Sequence, residues 1–160
     1  NKKIISLDYC KIKNKKIHLF DLRKDSLNIN KFKMNSDLII MSQILDHIVF
    51  DNASLISEVI NTHYVSNKYI ILTFMKSDSW GKKVKGKEIF KGVHLQKISK
   101  NSSLKELHMF YNDNQVKSIL NIFSKYKILH KVVETYLNDS KKKESNFYMK
   151  TEYYLLKRKS

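Results

Sequence analysis

Two apolar runs of strand length flank one helical period, and that arrangement constrains the chain more than any other feature. Residues 37–42 read DLIIMS and residues 69–74 read YIILTF. Between Asn52 and Tyr64 the apolar positions are Leu55, Ile56, Val59, Ile60 and Tyr64, the spacing of one helix face, with Asp51 or Asn52 placed to cap the first turn. Strand, helix and strand in this order define a βαβ unit, whose strands run parallel and whose crossover is right-handed. Because residues 37–42 are apolar at consecutive positions, they predict a central strand covered on both faces.

The rest of the chain supplies further strands. Residues 3–8, KIISLD, and 16–21, KIHLFD, read as short strands ending in Asp8 and Asp21. Residues 104–111, LKELHMFY, read as another, after which Asn114 caps a helix with the apolar face Val116, Ile119, Leu120 and Phe123. Residues 127–136 and 146–159 alternate as strands around the polar NDSKKKES, which predicts an antiparallel hairpin with Lys141, Lys142 and Lys143 at a solvated tip. The segment 76–100 carries no such period and reads as a mobile loop. No repeat or composition break divides the chain, so residues 1–160 read as one domain.

Composition limits the function classes. The one cysteine, Cys10, excludes an internal disulfide framework and a multi-cysteine zinc site, and reads as a small buried hydrophobe or a strand-end residue near a pocket. No apolar run reaches the roughly 18 residues of a membrane span, and no signal-peptide pattern is present, so the expectation is a soluble, intracellular, cytoplasmic protein. All three glycines, Gly81, Gly86 and Gly92, fall in one segment, so a glycine-rich phosphate cradle has no other place to form. The chain opens on Asn1 within two residues of an apolar run, which reads as a start inside a longer protein.

The formal charge is +16, against a magnitude of about 2–8 for an ordinary small domain. Nearly all of the excess is lysine, and only Arg23 and Arg158 are arginines. Such a field draws polyanions, RNA first among them; an A/T-rich genome, inflating Lys, Asn and Ile, is the competing source of the same charge. Lys82, Lys83, Lys85, Lys87 and Lys91 surround Trp80 and the glycines. The lysines there would contact phosphates, and Trp80 would stack on a base, close as part of a lid, or simply tuck under the loop.

Adjacent Asp46 and His47 raise the possibility of a general base with an orienting carboxylate, but neighbours in sequence rarely face one another, and the pair reads mainly as the turn into the following helix. Ser42 with Asp46 and His47 lacks the glycine-flanked elbow of a hydrolase nucleophile. The other histidines, His18, His63, His94, His108 and His130, show no metal-ligand spacing, so no metal is expected.

Apolar strands ending in carboxylates or small polar residues fit an open α/β sheet, with ligands outside the strands' carboxyl ends. ISLD with Asp8, HLFDLR with Asp21, SDLIIMSQILDHI, the helix followed by NKYIILTF, HMFYNDNQVKSILNIFSKYKILH and the closing EYYLLKRK together resemble the C-terminal three-quarters of a class I S-adenosylmethionine-dependent methyltransferase. The resemblance implies a Rossmann-like, mostly parallel sheet with a C-terminal antiparallel hairpin, S-adenosylmethionine as cofactor, and methyl transfer to RNA or another polyanion. It further implies that Asp8 binds the ribose hydroxyls, that Asp21 and Leu22 border the adenine, and that Met41, Ser42 and Gln43 pass under the methionine moiety. Trp80, Lys82, Lys83, Lys85 and Lys87 are the substrate-side candidates. The family's first strand and its glycine loop are missing here, which points to an upstream segment, to a partner chain that supplies them, or to a catalytically inactive subunit that binds RNA or stabilises an active partner. No catalytic residue is named by the pattern.

Overall fold

The computed structural model of the chain describes residues 6–8, 17–19, 37–42, 44–63, 68–81, 86–97, 105–138 and 146–160. Asp21, Leu22, Gln43, Lys82, Lys83, Lys85, Cys10 and the hairpin tip at Lys141, Lys142 and Lys143 lie outside the described residues.

The βαβ unit forms as its periodicity predicts. Strand β3 (Leu38–Met41) is followed by a single 3-10 turn (Leu45–His47), helix α1 (Phe50–His63) and strand β4 (Tyr69–Met75). β3 and β4 pair in parallel, Leu38 opposite Tyr69 and Met41 opposite Leu72. Upstream, β1 (Ser6–Asp8) pairs in parallel with β2 (Ile17–Leu19). Helix α1 begins at Phe50, ahead of both residues expected to cap it, because the chain leaves the 3-10 turn already in position to close Ala53 N–H onto the Val49 carbonyl at 3.0 Å.

The predicted hairpin is the longest feature of the fold. Strand β8 (Tyr126–Asn138) pairs antiparallel with β9 (Phe147–Arg158), and β9 pairs antiparallel with β4, giving the sheet order β3-β4-β9-β8. β9 is therefore a reversed strand inserted between two that run the same way. Among the described residues two strand pairings are parallel and four antiparallel. That differs from the mostly parallel sheet expected, since most of the pairing here comes from hairpins. Strand β3 is not central among the described residues, where β4 is its one neighbour, and Leu38 and Ile40, which share the face away from the helices, are 44% and 56% exposed.

Within the segment expected to be a loop, the described residues 86–97 form strands. Strands β5 (Lys87–Phe90), β6 (Val93–Lys97) and β7 (Lys105–Met109) form a second, antiparallel sheet. Lys91 and Gly92 make the two-residue turn between β5 and β6, with Gly92 at φ 79°, a conformation glycine adopts without steric cost. At the other end of the segment, Trp80 N–H donates to the Tyr148 carbonyl at 2.8 Å and Tyr148 N–H returns to Trp80 at 3.0 Å, pinning the Trp80 backbone to β9.

Helix α2 (Asp113–Ile122) follows β7 and is capped by Asn112, not Asn114: Gln115 N–H donates to the Asn112 side chain while the Gln115 side chain accepts from Asn112 N–H, both at 3.0 Å. Its buried Val116 and Ile119 join Ala53, Ile56 and Ile60 of α1 and Ile70, Leu72, Phe74, Tyr154 and Leu156 of the main sheet in one apolar core. Full burial of each such aliphatic side chain stabilises by about 1.5–3 kcal/mol. Both helices thus cover the sheet face that carries Leu72 and Phe74. The alternate positions of the same strands, Thr73 and Met75 of β4 and Thr151 and Tyr153 of β9, face the other way.

Candidate functional site

On that second face the turn after β3 meets the end of β4. Asp46 sits in the 3-10 turn, fully buried. Its Oδ1 accepts the Met75 N–H at 2.7 Å, whereas its Oδ2 is buried with no hydrogen-bond partner among the described residues. Loss of water around the carboxyl pushes its pKa up to about 7, against the smaller opposing pull of the Met75 N–H. The turn is held from behind by Tyr111, whose hydroxyl donates to the Leu45 carbonyl at 2.8 Å; burial and the Asp46 charge hold that phenol well above its ordinary range.

Asp46, Met75, Glu134, Thr151 and Tyr153 line a cavity of about 210 Å³. Tyr153 donates its hydroxyl to Glu134 Oε2 at 2.7 Å, and that bond, with burial and the Glu134 charge behind it, pushes the phenol up to about 12. The volume is below the roughly 300–1,000 Å³ of a pocket that swallows a whole small ligand. It accommodates one functional group of a larger molecule, and its lining offers acceptors and hydroxyls rather than cations. A buried carboxyl with a raised pKa beside a cleft makes Asp46 a candidate functional group.

Sequence reasoning placed Asp46 in a turn and assigned it little chemistry. The turn is there, but adjacency to His47 was a poor guide: the two side chains part company, Asp46 inward to Met75 and His47 outward, where its Nδ1 lies 3.0 Å from the Leu107 carbonyl. The signal available in the sequence was a carboxylate inside an apolar stretch, Ile44-Leu45-Asp46-His47-Ile48, which predicts burial with a specific partner. His108 stands beside His47, ring centroids 4.9 Å apart, and burial and the His47 charge hold its pKa below the usual value.

The other candidates are placed as follows. Asp8 is the last residue of β1 and Met41 the last of β3, each at a carboxyl end. The Met41 side chain belongs to the core, and Ser42 next to it is exposed. Trp80 and Lys87 are exposed, Trp80 beside β9 and Lys87 at the start of β5. Among the described residues the Asp46 cavity does not include Ser42, Trp80 or Lys87 in its lining.

A parallel β3-β4 pair, a reversed β9 and helices on one face define a mixed α/β fold. No family model matches the chain, and no curated protein matches it. Among solved structures it is similar to an S-adenosylmethionine-dependent methyltransferase from Methanosarcina mazei, with a TM-score of 0.52 and 12% identity over 78% of this chain and 59% of that one. A second, from Clostridium acetobutylicum ATCC 824, gives 0.48 and 13% over 90% and 65%. The chain spans less than two thirds of the length of either. The first likeness establishes a class I S-adenosylmethionine-dependent methyltransferase-like fold. No helix among the described residues is long and apolar enough to cross a membrane.

Proposed function

We propose that this chain is a methyl-transfer domain that uses S-adenosylmethionine, with the acceptor group carried by RNA or another polyanion. The observation that carries the reading is the sheet order β3-β4-β9-β8 with β9 reversed, in a chain whose fold is similar to a solved methyltransferase. Ligands of such sheets lie outside the carboxyl ends of the parallel strands, where Asp8 and Ser42 stand. By the resemblance, Asp8 would offer a carboxylate to the ribose hydroxyls, Asp21 and Leu22 would border the adenine, and the Met41, Ser42 and Gln43 stretch would serve the methionine end, to which Met41 would contribute backbone.

When bound, S-adenosylmethionine supplies a methyl group activated by its sulfonium. The protein's part is then alignment more than strong base catalysis. The Asp46 cavity would seat the acceptor, with the free Oδ2 of Asp46 and the Glu134 and Tyr153 pair hydrogen-bonding a hydroxyl or amino group. Trp80, Lys82, Lys83, Lys85 and Lys87 would hold the rest of a polyanionic substrate outside it. The confinement of all three glycines to residues 81–92 favours a second reading, a catalytically inactive methyltransferase-like subunit that binds RNA or stabilises an active partner.

Isothermal titration with S-adenosylmethionine and with its demethylated product separates the two. Binding that Asp8→Ala weakens at least tenfold supports the transfer reading. No heat from the folded protein with either ligand overturns it in favour of the inactive subunit. RNA binding is read in parallel: affinity should fall steeply as salt rises, and salt-independent or absent binding removes the polyanion from the proposal.

A further inference from the structure

The second sheet concentrates histidines that the spacing in the sequence keeps apart. Glu106 and His108 are two residues apart on β7 and so share one face, and His94 of β6 lies directly across from His108. His47 reaches the same place from the 3-10 turn: one ligand atom each from His47, Glu106 and His108 lie within 4.8 Å of one another.

We propose that His47, Glu106 and His108 form a binding site for a divalent transition-metal cation of the zinc class. Two distances support it. Glu106 Oε2 stands 3.6 Å from His108 Nε2, too far for a hydrogen bond. Two ligands held about 2.1 Å from one cation at a tetrahedral angle stand about 3.4 Å apart, so the Glu106–His108 pair needs almost no adjustment, and His47, within 4.8 Å of both, closes on the cation by a side-chain movement of an ångström or so. His47 Nδ1 is 3.0 Å from the Leu107 carbonyl; donated there, its proton fixes the tautomer that leaves Nε2 unprotonated, the arrangement by which metal-binding imidazoles are oriented. Two imidazoles and one carboxylate suit zinc and its neighbours over magnesium or calcium. Three protein ligands leave a fourth position open, and with His47 and Glu106 exposed that position faces solvent, where it would take an oxygen or nitrogen donor from a solute.

The site stands independently of methyl transfer. A chain of formal charge +16 repels cations in general, so tight uptake requires a built site. The test is isothermal titration of the purified chain with zinc chloride, with magnesium chloride as the comparison and circular dichroism to confirm that each variant is folded. One zinc per chain is expected, bound far more tightly than magnesium, with affinity reduced about tenfold or more in Glu106→Gln and in His47→Gln and unchanged in His130→Gln. Absence of zinc uptake by the folded parent overturns the proposal, as does uptake that either site variant weakens by less than that. Glu106→Gln replaces an exposed side chain by its isostere and preserves the fold even where a substitution of His108 does not.

Discussion

The carboxylate of Asp46 and the amide of Met75 meet across 2.7 Å, joining the turn that leaves β3 to the end of β4. The bond crosses between neighbouring parallel strands and closes the back of the cavity. Because Asp46 is buried, the bond is paired with a cost: the carboxyl carries a pKa of about 7 against an ordinary 3.8. In the unfolded chain the group ionises at the lower value, so between these two pH values the folded state holds more protons, and stability falls as pH rises through the interval. Each tenfold displacement of a protonation equilibrium is worth about 1.4 kcal/mol, so the loss amounts to a few kcal/mol.

Asp46→Asn keeps an oxygen for Met75 and removes the ionisation. Urea denaturation at about pH 5 and about pH 8 should show the parent distinctly less stable at the higher pH and the variant nearly level. Asp46→Ala should lose about 1–3 kcal/mol at about pH 5, because the Met75 N–H is left without its acceptor, and less than that at about pH 8, where the parent already carries the cost of the buried charge. A pH slope that survives in Asp46→Asn places the titration on another group.

On the opposite face of the sheet the carboxylate of Glu152 has the reverse character. Burial alone would raise its pKa, but hydrogen bonds from Lys131 and Tyr154 and the charge of Lys76 outweigh it and hold the group below the usual range. Lys76 is itself buried, 2.6 Å from Asp113 and 3.6 Å from Glu152. Glu152 is therefore a source of stability that is present above its ordinary pKa and lost as pH falls, the opposite slope to Asp46. Lys76→Ala should cost about 3–5 kcal/mol, as expected for one partner removed from a buried pair, and Lys76→Met less because it refills the volume. Chemical denaturation of both variants checks the order; equal losses would assign the effect to the missing charge and none of it to packing volume.

The fold was more legible than the site, and particular residues explain why. The βαβ unit and the β8-β9 hairpin follow from local periodicity, which the chain writes plainly in YIILTF and in the alternation after Tyr126. The second sheet was missed because its strongest signal, the Lys91-Gly92 turn between KEIF and VHLQK, sits in a lysine-rich stretch where charge masks alternation. The exposure of Leu38 and Ile40 on β3 was illegible for a different reason, since an apolar run does not state which of its two faces another element covers. The site was harder still. Asp46 faces Met75 across 29 residues of sequence and His47 faces Leu107 across 60, and no spacing rule on a single chain joins such positions. Asp21, Leu22 and Gln43 lie outside the described residues, so their assignment rests on the resemblance.

The cap of α2 offers a local check. Asn112→Ala removes the acceptor for the Gln115 N–H and breaks the reciprocal bond of the capping box, and should cost about 1 kcal/mol. Asn114, inside the helix and exposed, should tolerate alanine with a slight gain, since alanine is the better helix former. Thermal melts of the two variants side by side test the assignment, and a larger loss at Asn114 would move the helix start.

Gly81 governs how the segment before β5 leaves the main sheet. Its φ of 109° is a region L side chains rarely adopt, and an added Cβ would run into the Cβ of Phe147 on β9, next to the two hydrogen bonds that tie Trp80 to Tyr148. Gly81→Ala therefore meets both strain and a backbone clash, and relief must come from separating the Trp80 strand from β9. The expected loss is about 1–3 kcal/mol, with a change in tryptophan fluorescence because Trp80 is the only tryptophan in the chain. Phe147→Gly removes the nearest atom in the way and leaves the Asn146 carbonyl oxygen and the Phe147 Cα, each 2.8 Å from the added Cβ, together with the strain at Gly81. If the double variant Gly81→Ala with Phe147→Gly recovers part of the loss caused by Gly81→Ala measured against Phe147→Gly alone, the contact with the Phe147 side chain is real; full additivity of the two losses assigns the effect to backbone conformation and backbone contact.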